Sequence, residues 1–246
     1  MVNLPELNMF NYVCHTFLNT FKNRGSMAAK SEQTRQKVAE AALRMFREVG
    51  FEKTTMRGIA AEAGVSVGNA YYYFASKDDL VHELYIQVQA EHATLADDAL
   101  AETRRLPDRL RAVLHTGLDV MTPYHRFGSD FVATAIRPTS PMNPFSANST
   151  SAREASLAIF RTAVEGATPA APKKLQADLP ELLWLCYMGL TLFWVYDTSD
   201  GQQRTRRLVD GAAPLIARGL ALARIPGVSK VLDDVLGLSR SIRGGH

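Results

Sequence analysis

Ser66 lies within Gly64-Val65-Ser66-Val67-Gly68, a match to G-x-S-x-G, and Asp119 and His125 follow it in the chain order of a serine hydrolase triad. That chemistry needs a strand ahead of the serine, so that a strained strand-to-helix turn exposes the hydroxyl. The residues ahead of it, Ala60-Ala61-Glu62-Ala63, belong to a helical pattern instead, and no run alternates convincingly as a strand. Nucleophilic catalysis is therefore the minor alternative, and the expectation is a protein that is not an enzyme. His115, Asp119 and His125 also carry metal-ligating atom types. Without a Cys/His cluster they read better as a polar pair in a pocket or a plain i,i+4 contact, so no metal and no cofactor are expected.

A different chemistry is available on either side of the same serine. Met56, Ile59, Ala60 and Ala63 recur at helical spacing, with Thr54 or Thr55 placed to cap the start. Gly64 ends that helix, because glycine takes the left-handed conformation that other residues resist. Ser66 then caps a second short helix whose Val67, Ala70, Tyr71 and Phe74 can pack back on the first. Two short helices across such a turn form a helix-turn-helix, which can set its second helix into a major groove of double-stranded DNA. Arg57, with Val67, Gly68 and Asn69 early in the second helix, would lie closest to base edges, where Arg and Asn pair bidentately with guanine and adenine. Gly68 lets the backbones approach. Thr55, Ser66, Tyr71, Tyr73 and Lys77 suit phosphate oxygens, which set register and make binding salt-dependent. Tyr71 as a core aromatic and Arg57 as a solvated charge are the plainer alternatives.

The pattern TxxxIAxxAGVSxGxxYxYFxxK, carried by Thr55, Ile59, Ala60, Ala63, Gly64, Val65, Ser66, Gly68, Tyr71, Tyr73, Phe74 and Lys77, resembles the DNA-binding segment of the tetracycline-repressor (TetR) family of bacterial transcription regulators. The resemblance covers residues 31–85. It implies the same division between base and phosphate contacts, a homodimer, and a divergent second domain that binds an effector. Ala70 departs from it, standing where the family carries a larger aliphatic residue, which implies looser packing behind the recognition helix.

Length and charge fit this organisation without demanding it. A chain of 246 residues, 46% hydrophobic and 22% charged, can bury one or two cores. The net charge is +3, and between Lys30 and Leu80 eight Lys/Arg meet seven Asp/Glu, so placement rather than bulk charge argues for DNA. Cys14 and Cys186 have no metal or redox spacing, and a reducing cytoplasm is the natural compartment. The longest nearly apolar run, Leu182 to Tyr196, falls short of the roughly 20 residues of a membrane span, so no membrane partner is expected.

The expected architecture is all-α, in three parts. Residues 1–30 form an extension, 31–77 the helix-turn-helix domain, and 78–246 a helical effector-binding and dimerisation domain. In the extension Phe10, Val13, Cys14, Phe17, Leu18 and Phe21 make an amphipathic stripe. It is a docked extra helix, a stretch ahead of a true start at Met27, or a non-native leader. A scaffolding helix spans about Ser31 to Val49, with Val38, Ala39, Ala42, Leu43, Phe46 and Val49 as its buried face. Ser76 and Asp79 form a capping box that opens a long connecting helix reaching about Arg104. Further helices are expected at 107–122, 126–137, 150–166, 179–197, 201–223 and near 228–237, with loops at 138–150 and 168–173.

The helix at 179–197 has two apolar faces, which implies burial on both sides. With its successor it reads as a pair that meets its own copy across a two-fold axis. Trp184, Met188, Leu192, Val195, Leu208, Ala212, Leu215, Ile216 and Gly219 are the candidate dimer residues. The alternative is that both helices fill a monomer core. Aromatic and thioether side chains with a few polar anchors suggest an apolar pocket for a small-molecule effector. Its candidates are His115, Asp119, Met121, Tyr124, Phe127, Phe131, Phe160, Trp184, Tyr187, Met188 and Thr191.

Overall fold

The computed structural model describes residues 29–140 and 143–222. The amphipathic stripe at Phe10 to Phe21 and the helix expected near 228–237 lie outside them. The described residues are helical with no strand, and they divide into two compact units between Leu80 and Val81.

The first unit contains α1 (29–49), α2 (Met56–Glu62), α3 (Val67–Tyr73) and the opening turn of α4 (Lys77–Ala101). Apolar side chains from every helix close its core: Val38, Ala42, Phe46, Met56, Ile59, Ala70, Phe74 and Leu80 are all buried. Gly50 (φ 85°) ends α1, and Thr54 donates to the Gly50 carbonyl at 2.7 Å, fixing the corner. Phe51 then turns its ring onto Phe46, 5.5 Å between centroids. Val49, expected on the buried face, is 44% exposed because it occupies the last position before that corner.

The turn between α2 and α3 is a Schellman motif. Gly64 (φ 67°) is its left-handed residue, Val65 N–H donates to the Ala60 carbonyl at 2.9 Å, and Gly64 N–H donates to that of Ala61 at 3.1 Å. Thr55 caps α2 by accepting from Gly58 N–H, and Ser66 caps α3 by accepting from Asn69 N–H, both at 3.1 Å. At the head of α4, Ser76 and Asp79 each accept from the other's backbone N–H, at 3.2 and 3.0 Å. Three caps and one glycine thus set three helix starts within two dozen residues.

The second unit continues α4 and adds α5 (Leu106–Met121), α6 (His125–Ala135), α7 (Thr150–Glu165), the short α8 (Lys173–Gln176), α9 (Leu179–Val195) and α10 (Gln203–Leu222). In this unit α5 packs on α7 and α10, while α9 packs on α6, α7 and α10. Leu110, Val113, Leu118, Phe160, Ala163, Leu183, Trp184, Tyr187, Val209 and Ala213 form the shared core. The turn α8 starts at Lys173, the last residue of an expected loop, and fills a stretch to which the sequence reading assigned no element.

Two polar devices hold the helix ends. The buried Arg109 donates to the carbonyls of Leu100, Thr103, Thr162 and Ala163 at 2.6–2.9 Å, satisfying the open C-terminal ends of α4 and α7 together. A Cβ on Gly166 would run into that guanidinium, so the close approach requires glycine. Between α9 and α10, the Asp197 carboxylate accepts from Ser199 and Thr205, from the backbone N–H and the hydroxyl of each, at 2.6–3.0 Å. Burial alone would raise its pKa, but these hydrogen bonds from Ser199 and Thr205 outweigh it and hold the carboxyl well below the usual range.

Candidate nucleic-acid interface and ligand cavity

In the first unit, α2 and α3 bury one side each and leave a polar side open. Arg57 is exposed and makes no hydrogen bond or ion pair among the described residues. Val67, Gly68 and Asn69 are exposed along the first turn of α3. A Cβ built on Gly68 would meet nothing within 4 Å, so its own fold does not demand glycine there. Tyr71 is 51% exposed and Val67 38%, more open than Ala70 and Phe74 of the same spacing. Phe74 is buried, and the small Ala70 side chain is fully buried. Tyr72, which sequence reasoning passed over, is 77% exposed and stands edge-on to Tyr73 at 5.0 Å.

The capping hydroxyls of Thr55 and Ser66 accept backbone N–H bonds and keep their own protons to donate outward, as phosphate binding would require. Two candidate phosphate residues are tied inward instead. The Tyr73 hydroxyl lies 3.1 Å from that of Ser31. Lys77 Nζ donates to the Phe51 carbonyl at 2.8 Å and sits 4.1 Å from the centroid of the Phe51 ring. In the same turn Gly64 and Ser66 follow a helix, not a strand, so the nucleophile-elbow geometry is lacking. Asp119 pairs with Arg206 at 2.7 Å and His125 Nε2 bonds the Trp194 carbonyl at 2.9 Å, which commits the other two residues of that pattern.

The second unit has a cavity lined from α4, α5, α6 and α9. Counted as space open to the centre of a water molecule, it is about 100 Å³. Met121, Tyr124, Phe127, Phe131, Tyr187, Met188 and Thr191 line it, as do Leu84, Tyr85, Val88, Gln89, Trp194 and Val195, which the sequence reading did not assign there. The other four candidates lie elsewhere. His115 bonds Asp210 at 2.8 Å and Asp119 bonds Arg206, both between α5 and α10. Phe160 is fully buried against Tyr187, and Trp184 is 1% exposed with its ring edge-on to Phe145. These four serve the core and the helix pair, because α5 turns its polar side toward α10 rather than toward the cavity.

The same burial corrects the two-faced reading of α9. Trp184 and Val195 belong to the unit's own core and cannot face a partner. Met188, Ala212 and Ile216 are partly exposed. Leu192, Leu208, Leu215 and Gly219 are exposed, and so are Leu185 and Phe193, which the spacing had not singled out. Among the described residues no group of His, Cys, Asp and Glu could hold a metal, and no helix is long and apolar enough to cross a membrane.

Comparison with known proteins places both units in one family. Residues 38–84 match the model of bacterial regulatory proteins of the tetR family, and residues 109–238 match that of the tetracyclin repressor-like C-terminal domain. The probable acrEF/envCD operon repressor of Escherichia coli K12 is 30% identical over 99 residues, 40% of this chain and 45% of that protein. The chain thus spans less than half the length of that curated relative. A solved TetR-family regulator from Syntrophomonas wolfei superposes with a TM-score of 0.59 at 17% identity, covering 77% of this chain and 97% of the other. Thermus thermophilus FadR, a repressor solved in complex with lauroyl-CoA, superposes with a TM-score of 0.56 at 18% identity, covering 78% and 97%. With the second family match alone spanning more than half of its length, this chain belongs to the tetracycline-repressor family of bacterial transcription regulators.

Proposed function

We propose that the chain is a ligand-responsive DNA-binding transcription regulator. It acts as a homodimeric repressor that leaves a palindromic operator when a mainly apolar small molecule fills the cavity of the second unit. The observation that carries this reading is the exposed side of α2 and α3, where Arg57, Gly68, Asn69 and Tyr71 stand open while both helix ends are capped. Residues 31–77 supply the reading head, and residues 78–246 the effector site and the dimer. Exposed Leu192, Leu208, Leu215 and Gly219 support a partner copy on α9 and α10. Two heads held about 34 Å apart would enter successive major grooves.

Coupling requires a ligand that prefers one arrangement of the heads. The helix α4 suits that role because it starts in the first unit and then lines the cavity with Leu84, Tyr85, Val88 and Gln89. The lauroyl-CoA bound by the Thermus thermophilus neighbour carries a long apolar chain, consistent with an apolar effector here. Mobility shifts on genomic fragments, repeated with a library of apolar compounds, test the proposal. Retention of discrete fragments and their release by some compounds is the expected result. Equal retention of all DNA, or none at low salt, would refute it.

A further inference from the structure

The lining of the ligand cavity is aromatic beyond what the composition of the chain supplies. Six of its sixteen residues carry rings, Tyr85, Tyr124, Phe127, Phe131, Tyr187 and Trp194, against 9% aromatic residues in the whole chain. The Phe131 ring centroid lies 6.3 Å from that of Tyr85 and 6.2 Å from that of Phe127, tilted against both. Those are the spacings at which the negative face of one ring meets the positive edge of another, so the wall suits a further ring better than a saturated body of the same size. Met121 and Met188 complete it, and a thioether both attracts a ring and yields to its outline.

Size and charge narrow the occupant. An apolar cavity of about 150 Å³ accepts one benzene, and this one, at about 100 Å³, has room for a single ring once its thioethers shift. The α6 wall is drawn in at Gly128, where a Cβ would lie 3.1 Å from Val195 Cγ2 and 3.2 Å from Trp194 Cζ3. A dodecyl chain has twice the carbons of one ring and overfills that space. No Asp, Glu, Lys, Arg or His lines it, so an ion would enter unpaired. Arg153 acts on Tyr85 from nearby, yet its guanidinium is committed to the Pro144 carbonyl at 2.7 Å and to Thr150 Oγ1 at 3.3 Å. The Thr191 hydroxyl is likewise spent, on the Tyr187 carbonyl at 2.9 Å.

We propose that the cavity takes an uncharged molecule of one aromatic ring with small alkyl substituents, selected by ring contacts and by size. This rests on the ligand-responsive reading and names the class of ligand for that same site. Toluene, methylcyclohexane and benzoate, which keep seven carbons and change aromaticity or charge, are the probes, with dodecanol as the long uncharged chain. Each is titrated by calorimetry into the full chain at a pH where benzoate is ionised. Toluene should bind one to one, severalfold more tightly than methylcyclohexane and at least about tenfold more tightly than benzoate. Dodecanol should not displace it. Val132→Phe, which fills the cavity from α6, should weaken toluene by about tenfold. Met188→Ala, which enlarges it, should shift preference from toluene toward naphthalene, and this second variant decides the matter if the filled one fails to fold. No binding of toluene, equal binding of methylcyclohexane, or displacement by dodecanol would overturn the inference. Benzoate binding as tightly as toluene would do so too and point to Arg153, as would a folded Val132→Phe that binds toluene undiminished or a Met188→Ala without the shift. DNA retention by the ligand-free sample decides the regulator reading separately, so the two can fail independently.

Discussion

Arg57 and Lys77 are both basic and both near the recognition helix, yet their surroundings assign them different work. Arg57 has no partner among the described residues, and a guanidinium left in solvent is available for a bidentate guanine contact. Replacing Arg57 or Asn69 by alanine should cost about 1–3 kcal/mol at one base position and relax choice there, as mobility shifts across operator variants would reveal. Uniform loss on all sequences would argue against base reading. Lys77 instead closes the corner after α1, through the Phe51 carbonyl and ring. Lys77→Ala should therefore lower the thermal stability of the reading head by about 1–2 kcal/mol, read by calorimetry, besides weakening DNA binding generally. The sequence motif marks Lys77 for phosphate, and nothing in it betrays the packing on Phe51, twenty-six residues back in the chain.

Among the elements, α9 and α10 depend on a polar joint. Asp197 is 3% exposed and accepts from Ser199 and Thr205, which depresses its pKa against the opposing effect of burial. A depressed carboxylate adds stability that is complete above its unfolded pKa of about 3.9 and is lost as pH falls through the lower native value. Asp197→Ala should cost about 1–3 kcal/mol at neutral pH and flatten the acid limb of a stability-against-pH curve measured by denaturant melts. Gly166→Ala should also destabilise, by about 1–3 kcal/mol, because the new methyl displaces the Arg109 guanidinium from two helix ends.

Helix boundaries of this kind were legible beforehand, since Thr55, Gly64, Ser66 and Ser76 announce starts and stops through local chemistry. The cavity was legible only in part. Met121, Phe127, Phe131, Tyr187 and Met188 could be named from composition, but periodicity does not say which stripe of a two-faced helix meets its own core. That is why Trp184, placed with the pocket and the dimer, proved to be neither. Gln89 was missed because α4 read as a connector; a glutamine one turn after Tyr85 and next to the buried Val88 was the available signal.

At the scale of the whole molecule, the proposed function depends on pairing. Leu215 is 64% exposed and Leu192 43%, with exposed Leu185, Phe193 and Leu208 on the same two helices. Such apolar exposure on neighbouring helices is characteristic of a protein interface. Leu192→Glu with Leu215→Glu should leave a folded monomer by sedimentation and reduce operator affinity by more than tenfold, since one head alone makes half the contacts. A variant that stayed dimeric would move the interface elsewhere. The most direct test of the account is selection of bound duplexes from genomic DNA, followed by sequencing. An inverted repeat with half-site centres about 10 base pairs apart, or a multiple of that turn, is the predicted result. An enriched but unrepeated sequence, or no enrichment at all, would contradict it.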